Sequence, residues 1–124
     1  MKTIAITGSS GFIGKKLANK INRQSFKLIK IGKRKRIEKI KYIKKFDVLV
    51  HLAFKIKIKN QKDNLDNILS ILNLLNFCVK FKATMIFVST YSIKNYDKSK
   101  YILSKKHCED LCNLYRNKFG LKII

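Results

Sequence analysis

Thr7-Gly8-Ser9-Ser10-Gly11-Phe12-Ile13-Gly14 is the stretch that decides how this chain folds. It follows an apolar run, Lys2 to Thr7, that reads as a strand. It precedes Phe12 to Gln24, which reads as a helix because Ile13, Leu17 and Ile21 recur every four residues on one stripe. Strand, glycine-rich turn and helix in that order make a phosphate-binding loop. Gly8 permits the tight turn. Gly11 has no Cβ, so a pyrophosphate can approach the backbone. Gly14 lets the helix pack closely. The N–H groups at the helix start, those of Phe12 and Ile13 among them, face the phosphates and are aided by the helix dipole.

Outward from this loop, short apolar runs alternate with helical stretches, the βαβ pattern of a parallel sheet. Phe26 to Ile31 reads as the second strand. Ile37 to Lys45 favours a short helix through Ile37, Ile40 and Ile43. Asp47 to Leu52 is a buried strand, since Val48, Leu49 and Val50 run without alternation. Leu65 to Phe81 is a helix carrying Leu65, Leu69, Leu72 and Leu75. Thr84 to Ser89 is another strand. Tyr101 to Lys118 is a long helix with Leu103, Leu111, Leu114 and Tyr115, and Gly120 is its C-cap. Leu121 to Ile124 begins one more strand. Lys55 to Lys59 alternates like a strand, but it lies just past a strand end, so its position predicts a loop.

The chain has 124 residues, which fits one domain, residues 1–124. Hydrophobic residues make up 46%, enough for a core and too many for a disordered chain. No apolar run approaches the ~18 residues of a membrane span. The first residues are too short an apolar stretch for a secretory signal, so a cytoplasmic location is expected. Lys and Arg total 29 against 7 Asp and Glu, for a net charge of +22. Lys is scattered over every segment, with abundant Ile and Asn and no Pro, as an A/T-rich coding sequence would give. The other reading is a polyanion-binding surface. No nucleic-acid motif accompanies the charge, and no specific nucleic-acid partner is expected. Cys78, Cys108 and Cys112 are odd in number and lack a C-x-x-C pair, so buried thiols are expected in place of disulfides or a metal site.

The acidic residue that holds an NAD ribose near the end of the second strand is absent. Gly32-Lys33-Arg34-Lys35-Arg36 occupies that place. Lys33 and Arg34 suit a 2′-phosphate, with Arg capable of a bidentate grip, which leans towards NADP. Abundant Lys throughout the chain accounts for the same run without a ligand. Further on, Ser89-Thr90 ends a strand, where open α/β sheets place their ligands. Eleven residues past Thr90 comes Tyr101-Ile102-Leu103-Ser104-Lys105. One helix face carries both Tyr101 and Lys105. A nearby ammonium favours the phenolate, which turns a Tyr into a usable acid/base, and Thr90 would hydrogen-bond the substrate oxygen whose proton moves.

Taken together these residues resemble the extended short-chain dehydrogenases/reductases, the NAD(P)-dependent epimerase/dehydratase family. Thr7-Gly8-x-x-Gly11-Phe12-Ile13-Gly14 resembles its cofactor loop, and Asp47-Val48-Leu49-Val50-His51-Leu52-Ala53 its fourth-strand motif. Asn67 and Asn73-Leu74-Leu75 match the following helix, and Phe87-Val88-Ser89-Thr90 the strand that carries its catalytic Ser/Thr. Tyr101, Ser104-Lys105, Glu109, Leu111, Tyr115 and Gly120-Leu121 match the Tyr/Lys helix and the strand after it. The resemblance implies a Rossmann-like, doubly wound parallel sheet of about five strands, with NAD or NADP held by Gly8, Ser10, Gly11, Phe12, Ile13, Gly14, Leu52, Ala53 and Lys105. It implies Thr90, Tyr101 and Lys105 as the catalytic trio. It also implies a nucleotide-linked sugar as substrate and a homodimer through helices 65–81 and 101–118. Three departures stand out, one of them the stretch from Thr90 to Tyr101, much shorter than in most relatives, where a substrate loop intervenes. Too little chain lies between Ile31 and Asp47 for the family's third strand, and the chain ends where its C-terminal substrate domain would follow. A non-catalytic nucleotide- or polyanion-binding module, or an inactive gene fragment, is the alternative.

Overall fold

The structure, a computed structural model, describes residues 1–32, 34–90 and 99–124. Four strands form one parallel sheet: β1 (Lys2–Thr7), β2 (Phe26–Ile31), β3 (Val48–His51) and β4 (Thr84–Phe87), in the order β2-β1-β3-β4. Helices α1 (Phe12–Lys20), α2 (Gln61–Phe81) and α3 (Lys100–Phe119) flank it, and a 3-10 turn, Ile37–Lys39, links β2 to β3. No strand intervenes between β2 and β3 among the described residues, as the short connection predicts. The expected fifth strand is reduced to a single parallel bridge, Ile123 to Met85. Three backbone hydrogen bonds hold Lys122 to Ile124 along β4. Lys55 to Lys59 is irregular, so position prevailed over its alternating pattern.

The period of two along each strand sorts the core into two layers. Ile6 and Val50 face α1 and pack on Ala18, with Ile4, Leu28 and Ile86 beside them. Ala5, Ile31, Leu49 and Met85 face the other way, towards Ile71, Leu74, Leu75 and Cys78 of α2 and Cys108 and Cys112 of α3. This second layer is the larger and holds Phe46, fully buried edge-on against Phe81.

The helices depart from the expected stripes for physical reasons. Helix α1 stops at Lys20, short of Gln24, because the Asn22 side chain accepts from the Gln24 amide and opens a turn. Its buried residues are Gly14 and Ala18, and Ile13 is exposed. Helix α2 begins four residues before Leu65, where Asn60 caps it by accepting from the Asp63 amide. Its buried face runs through Asn67, Ile71, Leu74, Leu75 and Cys78, whereas Leu65 and Leu69 point outward. Polar Asn67 and Asp66 on the buried side hide this stripe from a reading by hydrophobicity. On α3 the buried residues are Ile102, Ser104, Lys105, Cys108 and Cys112, and Leu114 is exposed. Gly120 caps α3 in the left-handed region, at φ 62°. All three thiols are buried and free, and burial pushes them up to about 11 for Cys108 and about 12 for Cys78 and Cys112. Among the described residues no helix is long and apolar enough to cross a membrane.

Candidate functional site

A single register row organises the site. Ile31, Thr7, His51 and Phe87 pair in sequence across the C-terminal ends of the four strands, all facing α2 and α3. Thr7 is fully buried, and its Oγ1 accepts from the amides of Leu52 (3.1 Å) and Ala53 (3.2 Å). Those two donors use both lone pairs, so the hydroxyl proton is left for His51 Nδ1, 2.7 Å away. His51 is therefore the neutral Nε2–H tautomer. Burial, with the Lys105 charge adding to it, lowers its pKa to about 3. Its ring stacks on Phe87 at 6.0 Å, and Nε2 is buried without a hydrogen-bond partner among the described residues.

Above this row the chain makes the glycine turn. Gly8 lies in the left-handed region at φ 68°, and a Cβ there would stand 2.8 Å from the Ala53 nitrogen. The turn therefore needs glycine twice over, for conformation and for room. A Cβ on Gly14 would lie 2.1 Å from the Gly8 carbonyl oxygen, so its close approach is to the loop's own backbone. Gly11 differs. A Cβ there meets only Gly8 O, at 3.3 Å, and Gly11 itself borders the cleft. The amides of Phe12, Ile13 and Gly14 are first-turn groups with no acceptor inside α1, and no acid stands in that turn. The side chains of Phe12 and Ile13 are exposed, so it is their amides that the loop offers.

A cleft of about 670 Å³ opens at the ends of β1, β2 and β3. It lies where β1 has β2, reached through α1, on one side and β3, reached by the crossover from β2, on the other, the switch point at which open α/β sheets hold ligands. Gly8, Ser10, Gly11, Gly32, Leu52 and Ala53 line it, and all of these but Gly32 are among the residues that the sequence assigns to a cofactor. Lys35 and Glu38 line it at the end of β2, with Glu38 bound to Arg36 at 2.8 Å. Arg34 is exposed and lies outside the cleft wall, and Lys33 lies outside the described residues.

Lys55, Asp66 and Asn67 form the opposite wall. Asn67 Oδ1 accepts from the Lys55 amide, and Nδ2 donates to the Lys55 carbonyl and to Ser104 Oγ. One amide thus locks the loop after β3 to α2 and to the residue before Lys105. The Lys55 ammonium bonds Asp66 at 2.6 Å and Asp63 at 3.3 Å, and the Asp66 bond is the chief cause that holds it charged.

Tyr101 and Lys105 share one face of α3, as their spacing predicts. Lys105 is 6% exposed. Its Nζ donates to the Val88 carbonyl at 2.7 Å and stands over the rings of Phe54 (4.0 Å) and Phe87 (4.9 Å). Burial lowers its pKa to about 8. Tyr101 packs edge-on against Phe54 at 5.7 Å. Phe54 lines the cleft, and Tyr101 and Lys105 stand behind it. Thr90 is half-buried, three residues past β4. Sequence reasoning overlooked Phe54, because no periodicity marks a side chain in an irregular segment. It took Lys35 only as one cation of the run Lys33 to Arg36, and it passed over Lys55, which one Lys among many does not distinguish.

The profile of the NAD dependent epimerase/dehydratase family matches residues 4–124. The chain belongs to that family. Solved structures with this fold include the UDP-glucuronic acid 4-epimerase of Bacillus cereus in complex with NAD, at TM-score 0.83 and 22% identity over 98% of this chain. The dTDP-4-dehydrorhamnose reductase of Bacillus anthracis in complex with NADP aligns at TM-score 0.82 and 18% identity over 94% of it. The ADP-L-glycero-D-manno-heptose-6-epimerase of Helicobacter pylori aligns at 0.71 and 22% over 92%. This family member spans about half of each, 54%, 51% and 51% respectively. Comparison with curated sequences gives no match.

Proposed function

We propose that this chain is the cofactor-binding part of an NAD(P)-dependent enzyme acting on a nucleotide-linked sugar. The observation that carries the reading is the cleft at the switch point, floored by a glycine turn that accepts no Cβ at Gly8 and edged by the open first turn of α1. The residues present fit a dinucleotide. Gly8, Ser10 and Gly11 with the amides of Phe12, Ile13 and Gly14 would hold its pyrophosphate, and Leu52 and Ala53 would line its path. The neighbours named above carry NAD in one case and NADP in another. Lys35 in the cleft wall, in the same sequence run as Lys33 and Arg34, leans this chain towards NADP.

When bound, the nicotinamide supplies hydride transfer. Tyr101 takes the proton of the substrate hydroxyl, and Thr90 orients that oxygen. Lys105 is still mostly cationic at pH 7, with its pKa at about 8. It places a positive charge on the helix face of Tyr101 in a nearly dry surrounding, where charge acts strongly. It would also hold the nicotinamide ribose. The exposed Leu65, Leu69 and Leu114 favour pairing of two copies through α2 and α3, helices 65–81 and 101–118.

Tyr101→Phe separates this reading from that of a binding module without catalysis, which the screening of Tyr101 by Phe54 favours. With a panel of nucleotide-linked sugars and either cofactor, the variant should retain cofactor binding and lose turnover. Turnover that survives the substitution removes Tyr101 as the base. Turnover by neither protein, with cofactor bound by both, favours the binding module.

A further inference from the structure

We propose that Phe54 is a positioning residue that sets the arrangement of the Tyr101–Lys105 pair, through a ring that meets both side chains. The proposal rests on reading that pair as the proton-transfer machinery. Phe54 is the described residue that touches Tyr101, Lys105 and the cleft alike. The Lys105 ammonium has three N–H groups. Among the described residues it meets one carbonyl, Val88, and two ring faces, Phe54 and Phe87, the first of them the nearer. A cation over a ring face is attracted by the ring quadrupole, and more so when water is excluded. The same ring meets Tyr101 at an interplanar angle of 84°, the edge-on contact that aromatic pairs favour. Phe54 follows Ala53, whose amide is fixed on Thr7, and precedes Lys55, whose amide and carbonyl are fixed on Asn67. Its backbone is thus tied on both sides. A ring anchored this way holds the phenol and the ammonium at a fixed separation behind the cleft wall.

The other titratable groups that act on Lys105 are His51 from β3 and Cys108 and Glu109 from α3. None of them changes when Phe54 is replaced. The test is a lysine-selective NMR titration of Nζ and Cε in the full chain without cofactor, with the Lys105 signal assigned through Lys105→Met. Phe54→Leu keeps an apolar cover and removes the π face. The Lys105 midpoint should fall below its starting value near 8, by about one pH unit. Phe54→Ala admits water, and the midpoint should rise towards 10.5. The fall in Phe54→Leu is the signature, since a ring that merely fills space leaves the Leu variant unmoved and raises only the Ala variant. If Phe54→Ala does not fold, the Leu variant decides alone. An unmoved midpoint in Phe54→Leu, or shifts of one sign in both variants, overturns the proposal. The measurement uses neither cofactor nor substrate. A chain that binds neither NAD nor NADP still answers it, and cofactor binding with an unmoved midpoint defeats Phe54 alone.

Discussion

Replacing Thr7 by Val changes almost no volume and removes one hydroxyl. That hydroxyl joins three groups: it accepts from the Leu52 and Ala53 amides and donates to His51 Nδ1. In Thr7→Val each is left unpaired in or near the core. An orphaned buried group costs roughly 1–3 kcal/mol, and the two amides are only part-buried, so the total is about 3–4 kcal/mol. Thr7→Ser keeps the hydroxyl and loses one buried methyl, at about 1 kcal/mol. Domains of this kind have roughly 5–15 kcal/mol in all, so the Val variant loses a large share of its stability. Urea unfolding followed by circular dichroism reads the difference. With a slope of about 1–1.5 kcal/mol per molar, the Val midpoint falls by roughly 2–4 M and the Ser midpoint by about 1 M or less. Imidazole ¹⁵N shifts supply a second readout, with the proton on Nε2 of His51 in the unmodified chain. If Thr7→Val proves as stable as Thr7→Ser to within about 1 kcal/mol, Thr7 does not close the loop in the manner described.

Two further expectations concern the same row and turn. Gly14→Ala puts a methyl against the Gly8 carbonyl, a backbone atom that cannot yield without moving the turn, and should cost at least about 2 kcal/mol in urea unfolding; an unchanged midpoint removes the close approach. Acid should destabilise the chain through His51, whose folded pKa near 3 lies below its ordinary 6.5. The unfolded chain then binds the extra proton between those values, so this contribution is fully present above pH 6.5 and is lost as pH falls to 3. It is on the order of 5 kcal/mol in total. Thermal melts from pH 7 to pH 4 should fall more steeply than those of His51→Gln, and parallel curves would show that His51 titrates normally.

Much of the architecture was legible because its signals were local. The glycine turn between a strand and a helix, the uninterrupted Val48-Leu49-Val50 and the cap at Gly120 each carry their conformation in the residues themselves. The buried faces of the helices were less legible. On α2 the leucine stripe is partly solvent-exposed, and the face that packs is built on Asn67, Ile71 and Cys78. Polar groups there are satisfied by partners far along the chain, such as Ser104, 37 residues from Asn67, and a linear pattern does not show those partners. The same limit applies at the site. Tyr101 and Lys105 announce each other by helical spacing, but Phe54, which meets both, reaches them only through the sheet. The lone cation that lines the cleft beyond β2 among the described residues, Lys35, is likewise one of several in its run, and nothing local selects it.

Cofactor binding by the glycine turn is the claim that the rest depends on, and Gly11 isolates it. A Cβ at Gly11 meets no atom closer than 3.3 Å, so Gly11→Ala should fold while narrowing the approach to the first-turn amides. The direct measurement is the melting temperature of the unmodified chain and of Gly11→Ala, each with NAD, with NADP and with neither. A ligand at tenfold its Kd adds about 1.4 kcal/mol, or roughly 5 °C for a domain of this size. The account predicts that rise for the unmodified chain, larger with NADP, and little or none for Gly11→Ala. No rise with either cofactor at millimolar concentration, or an equal rise in both proteins, would contradict it.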